Sequence, residues 1–234
     1  MKKLVICDLD GTLMPYGKEE IDRAVKEKIG RIIKSGGIFA VSSGRDYSEL
    51  KALLSELHRD IFFICADGAY AIKEERVFYS RQIPFNELNL FIRELPSCIL
   101  HGAFENFAIS EEPEEGARVL DRRSLVWQQI YKITGDELPE DRVKKYGLRM
   151  HRAENGRCDY VLAYANKGAA LSALQTRLGI SVYDTMVVGD GGNDVPMAKV
   201  CARSFAIKGT PFASAASETV ASVTQALDII LSEL

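Results

Sequence analysis

The sequence predicts an α/β protein: a doubly wound parallel sheet into which a smaller α+β domain is inserted. Three observations predict it. Over residues 1–81, short apolar runs that stop at polar turns alternate with amphipathic stretches of helical length. The same alternation resumes at residue 162 and continues to residue 234. Between them, residues 82–161 carry consecutive strand pairs, which implies antiparallel pairing rather than crossover connections.

Taken in order, residues 4–7 are an apolar run cut off by Asp8 and Asp10, and read as a buried strand. Residues 19–34 place Ile21, Val25, Ile29, Ile32 and Ile33 at helical spacing, and Gly36-Gly37 ends that helix. A strand at 38–41, a helix at 46–57 and a strand at 61–65 follow, and 69–72 with 77–79 form a hairpin. The insert reads as a helix at 85–95, paired strands at 99–102 and 104–109, a longer helix at 114–133, and a hairpin of 144–151 with 157–163 turning at Asn155-Gly156, an αββαββ order. Beyond it come a helix at 167–178, a strand at 185–188, a helix at 195–200, a strand at 204–207, and helices at 212–216 and 222–234.

Composition narrows the function classes. A 47% hydrophobic content suits a chain with a proper core, and a net charge of −3 gives no basic footprint for nucleic acid. The leading apolar run is too short for a signal peptide or a membrane span, so a cytoplasmic protein without membrane association is expected. Five cysteines without a C-x-x-C pair argue against a disulfide framework or a zinc site; Cys7 and Cys65 read as small buried core residues.

The chemistry gathers at strand ends. Asp8 and Asp10 in Asp8-Leu9-Asp10-Gly11-Thr12 lie two apart, so both can face one cleft at the carboxyl edge of the sheet, where open α/β sheets bind ligands. Two carboxylates this close repel unless a cation or proton intervenes, and a hard divalent cation such as Mg²⁺ answers that need. Gly11 permits a sharp turn with backbone N–H groups open to an anion. Gly189-Asp190-Gly191-Gly192-Asn193-Asp194 adds carboxylates at the same edge; capping of the next helix accounts for part of that run, not all of it. Ser42-Ser43-Gly44-Arg45 offers a hydroxyl and free N–H groups at a helix start, a phosphate cradle. Lys167 opens a helix, where a cation is disfavoured unless it faces negative charge.

In this order the four segments resemble the haloacid dehalogenase superfamily of phosphatases, and the insert resembles the class IIB cap of its Cof-like branch, which includes sugar phosphatases, phosphoglycolate phosphatase, sucrose-phosphate phosphatase and phosphomannomutase. The resemblance implies a Rossmann-like catalytic core at 1–81 and 162–234, and a cap at 82–161. It implies Asp8 as nucleophile, Asp10 as general acid and base, and Ser43 and Lys167 as further catalytic groups. Gly11, Ser43, Gly44, Arg45, Lys167 and Asn193 would bind the phosphate. Mg²⁺ would lie among Asp8, the backbone carbonyl of Asp10, Asp190 and Asp194, and the partner would be a small phosphorylated metabolite, with the chain a monomer or homodimer. Three departures stand out: Ser43 where the branch often has threonine, Asp67-Gly68-Ala69 where many members have Asn-Gly-Ala, and no Asn-Ala in 207–211. The cap offers His101, Glu105, Asn106, Arg118, Arg122 and Arg123 as polar candidates, Arg118 and Arg122 sharing a helix face, while Trp127 reads as core. A phosphomutase is the nearest rival. A phospho-receiver or ligand-binding module is further off, since receivers are shorter and lack such an insert.

Overall fold

The computed structural model describes residues 2–110, 117–120, 122–152 and 156–234. The elements in chain order are β1 (Leu4–Asp8), α1 (Arg23–Lys34), β2 (Ile38–Ser42), α2 (Tyr47–Leu53), β3 (Phe62–Cys65), β4 (Tyr70–Lys73), β5 (Arg76–Ser80), α3 (Phe85–Phe91), β6 (Cys98–His101), β7 (Asn106–Ile109), β8 (Ala117–Val119), β9 (Lys132–Gly135), α4 (Glu140–Lys145), β10 (Leu148–Arg152), β11 (Cys158–Leu162), α5 (Lys167–Leu178), β12 (Thr185–Gly189), α6 (Val195–Ala198), β13 (Arg203–Ile207), β14 (Glu218–Val220) and α7 (Val223–Ser232). They fall into two units: the chain up to Tyr79 together with Asn166 onward, and Ser80–Ala165.

The larger unit is built on an eight-stranded sheet ordered β14-β13-β12-β1-β2-β3-β4-β5. From β14 to β3 the strands are parallel, and β4 turns back antiparallel on β3. From β1 the chain runs outward through β2 and β3, and from β12 it runs the other way through β13 and β14. The order therefore reverses between β1 and β12, a topological switch point. Strand alternation sends Leu4 and Ile6 into a buried cluster with Ala170, Leu171 and Leu174 of α5. On α1, Val25, Ile29 and Ile32 are buried, and that helix packs against β2 and α7. The β4–β5 hairpin closes on Glu74 and Glu75, both at positive φ (50° and 61°), the two-residue turn whose twist suits paired strands.

The smaller unit holds a six-stranded sheet ordered β10-β11-β9-β6-β7-β8, antiparallel except between β7 and β8. Two helix–strand–strand runs, α3-β6-β7 and α4-β10-β11, supply the αββαββ order. The second helix is not at 114–133, however. Ala117–Val119 is strand, Arg122–Trp127 is a 3-10 turn and Lys132–Gly135 is a central strand, while the helix is the six-residue α4. The strand expected at 144–151 accordingly starts only at Leu148. Arg118 lies on β8, so it shares no helix face with Arg122. Trp127 is 83% exposed rather than core. Asn155 of the expected turn lies outside the described residues. In the larger unit, α2 ends at Leu53, four residues before the expected end at Leu57, and the edge strand β14 was not expected.

Candidate active site

The switch point brings Asp8, the last residue of β1, beside Asp190, the residue after β12. A tight turn follows Asp8, held by Met14 N–H to Leu9 O at 2.8 Å and Gly11 N–H to Met14 O at 2.8 Å. Gly11 has φ +82°, and a Cβ there would sit 2.3 Å from Asp190 Oδ2, so the carboxylate approaches only because no side chain stands in the way. Asp194 closes the 3-10 turn Gly192–Asp194 and, through Oδ2, accepts from the backbone N–H groups of Asp190 (3.0 Å) and Gly191 (2.9 Å). Carboxylate oxygens of Asp8, Asp190 and Asp194 lie within 4.8 Å of one another, and all three residues are buried.

Lys167 is the cation among them. Asn166 caps α5, accepting from Ala169 N–H at 2.9 Å, which starts the helix with Lys167 pointing at the cluster. Its Nζ donates to Asp194 Oδ1 at 2.7 Å and to Asp8 Oδ1, and the residue is 1% exposed. Burial pulls the ammonium's pKa down, but Asp8 and Asp194 outweigh it and hold the pKa above the lysine range, so Lys167 stays charged. Burial pushes the Asp8 carboxyl well up, Lys167 opposes, and Asp194 and Asp190 add to the rise. Burial thus drives the Asp8 shift and carboxylates the Lys167 shift, and three buried carboxylates facing one buried ammonium leave an excess of negative charge. A hard divalent cation would balance it, and a set of carboxylate oxygens is the right donor chemistry for Mg²⁺.

Asp190 is held by neutral donors. Thr12 Oγ1 donates to Oδ1 at 2.9 Å and Tyr16 Oη to Oδ2 at 3.0 Å. Burial, then Asp190, pushes the Tyr16 hydroxyl up to about 12, so it remains a donor. Asp10 behaves differently from Asp8. Its carboxylate is half-exposed and turned to Arg45, whose Nη2 donates to Oδ1 at 2.7 Å and whose Nε reaches Oδ1 at 3.2 Å and Oδ2 at 3.1 Å; Ser43 Oγ donates to Oδ2 at 3.3 Å. The Asp10 side chain thus stands outside the three-carboxylate cluster. A Cβ on Gly44 would lie 3.5 Å from Asp67 Oδ1, which accepts from Asn193 Nδ2 at 3.0 Å. Asp67 has φ 52° and is 2% exposed, a strained, buried position that the sequence marked only as a departure. Thr12 closes the Asp8-Leu9-Asp10-Gly11-Thr12 motif but no role follows from that alone, and Tyr16 carries no sequence signal; only the fold brings both hydroxyls to a residue far along the chain. Cys7, beside the nucleophile candidate, is buried with its thiol pushed up by burial and Asp8, which leaves it inert.

Fold and site together define an α/β protein that gathers carboxylates and a buried ammonium at the carboxyl edge of its sheet, an arrangement suited to a phosphorylated ligand with a divalent cation. The sequence profile of haloacid dehalogenase-like hydrolases matches residues 5–108 and 122–226, and the chain belongs to that family. It is 24% identical to the 5-amino-6-(5-phospho-D-ribitylamino)uracil phosphatase YbjI of Escherichia coli K12, over 88% of this chain and 85% of the relative. It is 28% identical to the HMP-PP phosphatase of Cronobacter sakazakii, over 88% and 84%. Its fold superposes on the HAD subclass IIB sugar phosphatase BT4131 with a TM-score of 0.76 at 21% identity, covering 98% of this chain and 99% of that one. Among the described residues no helix is long and apolar enough to cross a membrane.

Proposed function

We propose that this enzyme, a phosphatase of the haloacid dehalogenase-like family, hydrolyses a phosphomonoester of a small metabolite, a sugar phosphate or phosphoglycolate, through an aspartyl-phosphate on Asp8. The observation that carries the reading is the Lys167 ammonium held between Asp8 and Asp194 with Asp190 alongside. The names of the two relatives, each a phosphatase of a small phosphorylated compound, support the substrate class.

An Asp8 carboxylate oxygen attacks phosphorus and the bond from phosphorus to the metabolite oxygen breaks. Asp10 gives its proton to the departing oxygen, then takes one from the water that attacks the acyl phosphate, releasing inorganic phosphate and restoring Asp8. Arg45 leaves Asp10 for the incoming anion, which frees Asp10 to carry the proton. Ser43 and Lys167 bind the phosphoryl oxygens where charge builds; the Gly11 N–H, expected to be open to an anion, instead closes its own turn on Met14 O and does not join them. Asn193, tied to Asp67, keeps the loop of Asp190 and Asp194 in register. Held by Asp8, Asp190, Asp194 and the Asp10 backbone carbonyl, Mg²⁺ would cancel charge between the anionic nucleophile and its dianionic substrate. Five free thiols support action in the cytoplasm.

The test is a panel of phosphorylated metabolites assayed with Mg²⁺ for inorganic phosphate and for isomer formation. Phosphate release that EDTA stops and Mg²⁺ restores is expected, with none from Asp8→Asn. A substrate turned over equally well by Asp8→Asn overturns the reading.

A further inference from the structure

We propose that Tyr16 is a positioning residue for the divalent cation: its hydroxyl, with that of Thr12, fixes the Asp190 carboxylate in the orientation that receives the ion. The inference rests on the functional reading above and extends it to a residue outside the family-like motifs.

Packing does not hold the ring in place. Tyr16 is 70% exposed, so little apolar surface is buried by keeping it there. Its anchors are polar and close. The hydroxyl lies 3.0 Å from Asp190 Oδ2, and the ring crosses Gly11, where a Cβ would come within 2.6 Å of Cε2. The turn from Pro15 O to Lys18 N–H at 3.1 Å carries the residue over the site. The two oxygens of Asp190 are therefore divided, Oδ1 to Thr12 and Oδ2 to Tyr16.

The kind of donor matters as much as its position. Asp8 and Asp194 each share a full positive charge with Lys167. The side-chain donors to Asp190 are neutral hydroxyls, which orient a carboxylate without cancelling its charge. Among the three acids Asp190 is thus the one that has hydroxyl donors and no bonded ammonium. Each oxygen that accepts one hydroxyl still has a lone pair for a metal, and outer hydrogen bonds of this kind set ligand orientation and affinity.

Calorimetric titration of Mg²⁺ into the full chain tests this, in wild type, Tyr16→Phe and Asp190→Asn, alongside melting temperatures in EDTA. Tyr16→Phe is expected to weaken Mg²⁺ binding on the order of 10-fold while melting in EDTA with wild type. Equal Mg²⁺ affinity in wild type and Tyr16→Phe overturns the inference and leaves the enzyme reading intact. Weaker binding accompanied by an equally large loss of melting temperature in EDTA also overturns it, since that is a structural role. A wild type that binds no Mg²⁺, like Asp190→Asn, sinks both.

Discussion

Asp8 and Asp10 carry the same functional group two residues apart, and their surroundings suit them to the two different roles proposed for them. Asp8 is buried against Lys167, while Asp10 is half-exposed and clasped by Arg45 and Ser43. Asp10→Asn is expected to slow turnover about 10²–10⁴-fold, most for metabolites whose alcohols are weakly acidic and least for an aryl phosphate with a good leaving group. Comparison of phosphate release from both substrate types checks it; equal slowing would remove Asp10 from leaving-group protonation. Most of this site could be read from the sequence. Asp8, Asp190, Lys167 and Ser43 each follow a recognisable strand end or open a helix, so topology alone carries them to one edge. Tyr16, and the contacts of Thr12 and Asp67, could not be read that way. Their roles depend on contacts across the fold, and a hydroxyl in a loop or an aspartate at φ 52° looks like any other turn residue.

At the scale of elements, the close seating of α5 on the core is the tightest constraint. Gly68 has φ +89°, and a Cβ there would lie 2.2 Å from Asn166 O, the residue that caps α5 and precedes Lys167. Gly68→Ala is expected to cost about 1–3 kcal/mol in urea unfolding and to depress activity further by moving Lys167. On the far edge, Arg203 of β13 pairs with Glu218 of β14 and with Glu233. The hydrogen bond from Arg203 holds the Glu218 carboxyl below its ordinary range. A depressed carboxyl stabilises the fold above its unfolded pKa, roughly 4.3, and loses that contribution as pH falls through the lower folded value. Glu218→Gln should therefore narrow the difference in urea midpoint between pH 7 and pH 3, by a small amount because solvent reaches the half-exposed pair and screens it. Periodicity made the βα alternation of the larger unit readable from sequence. It failed at 114–133, where β9 puts Lys132 in the middle of a sheet, 6% exposed and 3.6 Å from Asp159. A buried ion pair makes a central strand look like a polar helix face. The true helix α4 did leave a signal: Pro139 before it, Glu140 and Asp141 in its first turn, Arg142, Lys144 and Lys145 in its last. Trp127 reads as core only on that helix, and at the end of a 3-10 turn it is exposed instead.

For the molecule as a whole, the proposed function carries a consequence for stability: a cation held by the surplus of buried negative charge stabilises the folded state. A ligand that binds only the folded state at 100 times its Kd adds about 2.7 kcal/mol. Mg²⁺ is thus expected to raise the melting temperature of the wild type in a concentration-dependent way, and Asp190→Asn should abolish the rise. A wild-type melting temperature indifferent to Mg²⁺ would contradict the three-carboxylate site. The pairing of β1 with β12 has a further consequence for biosynthesis. Asp8, the proposed nucleophile, precedes the inserted unit in the chain, but its neighbouring strand and Asp190 leave the ribosome only after that unit has been translated. A nascent chain halted before residue 190 holds Asp8 without Asp190 or Asp194, so the three-carboxylate cluster on which the proposed reaction depends assembles only once β12 adds to the open edge of β1.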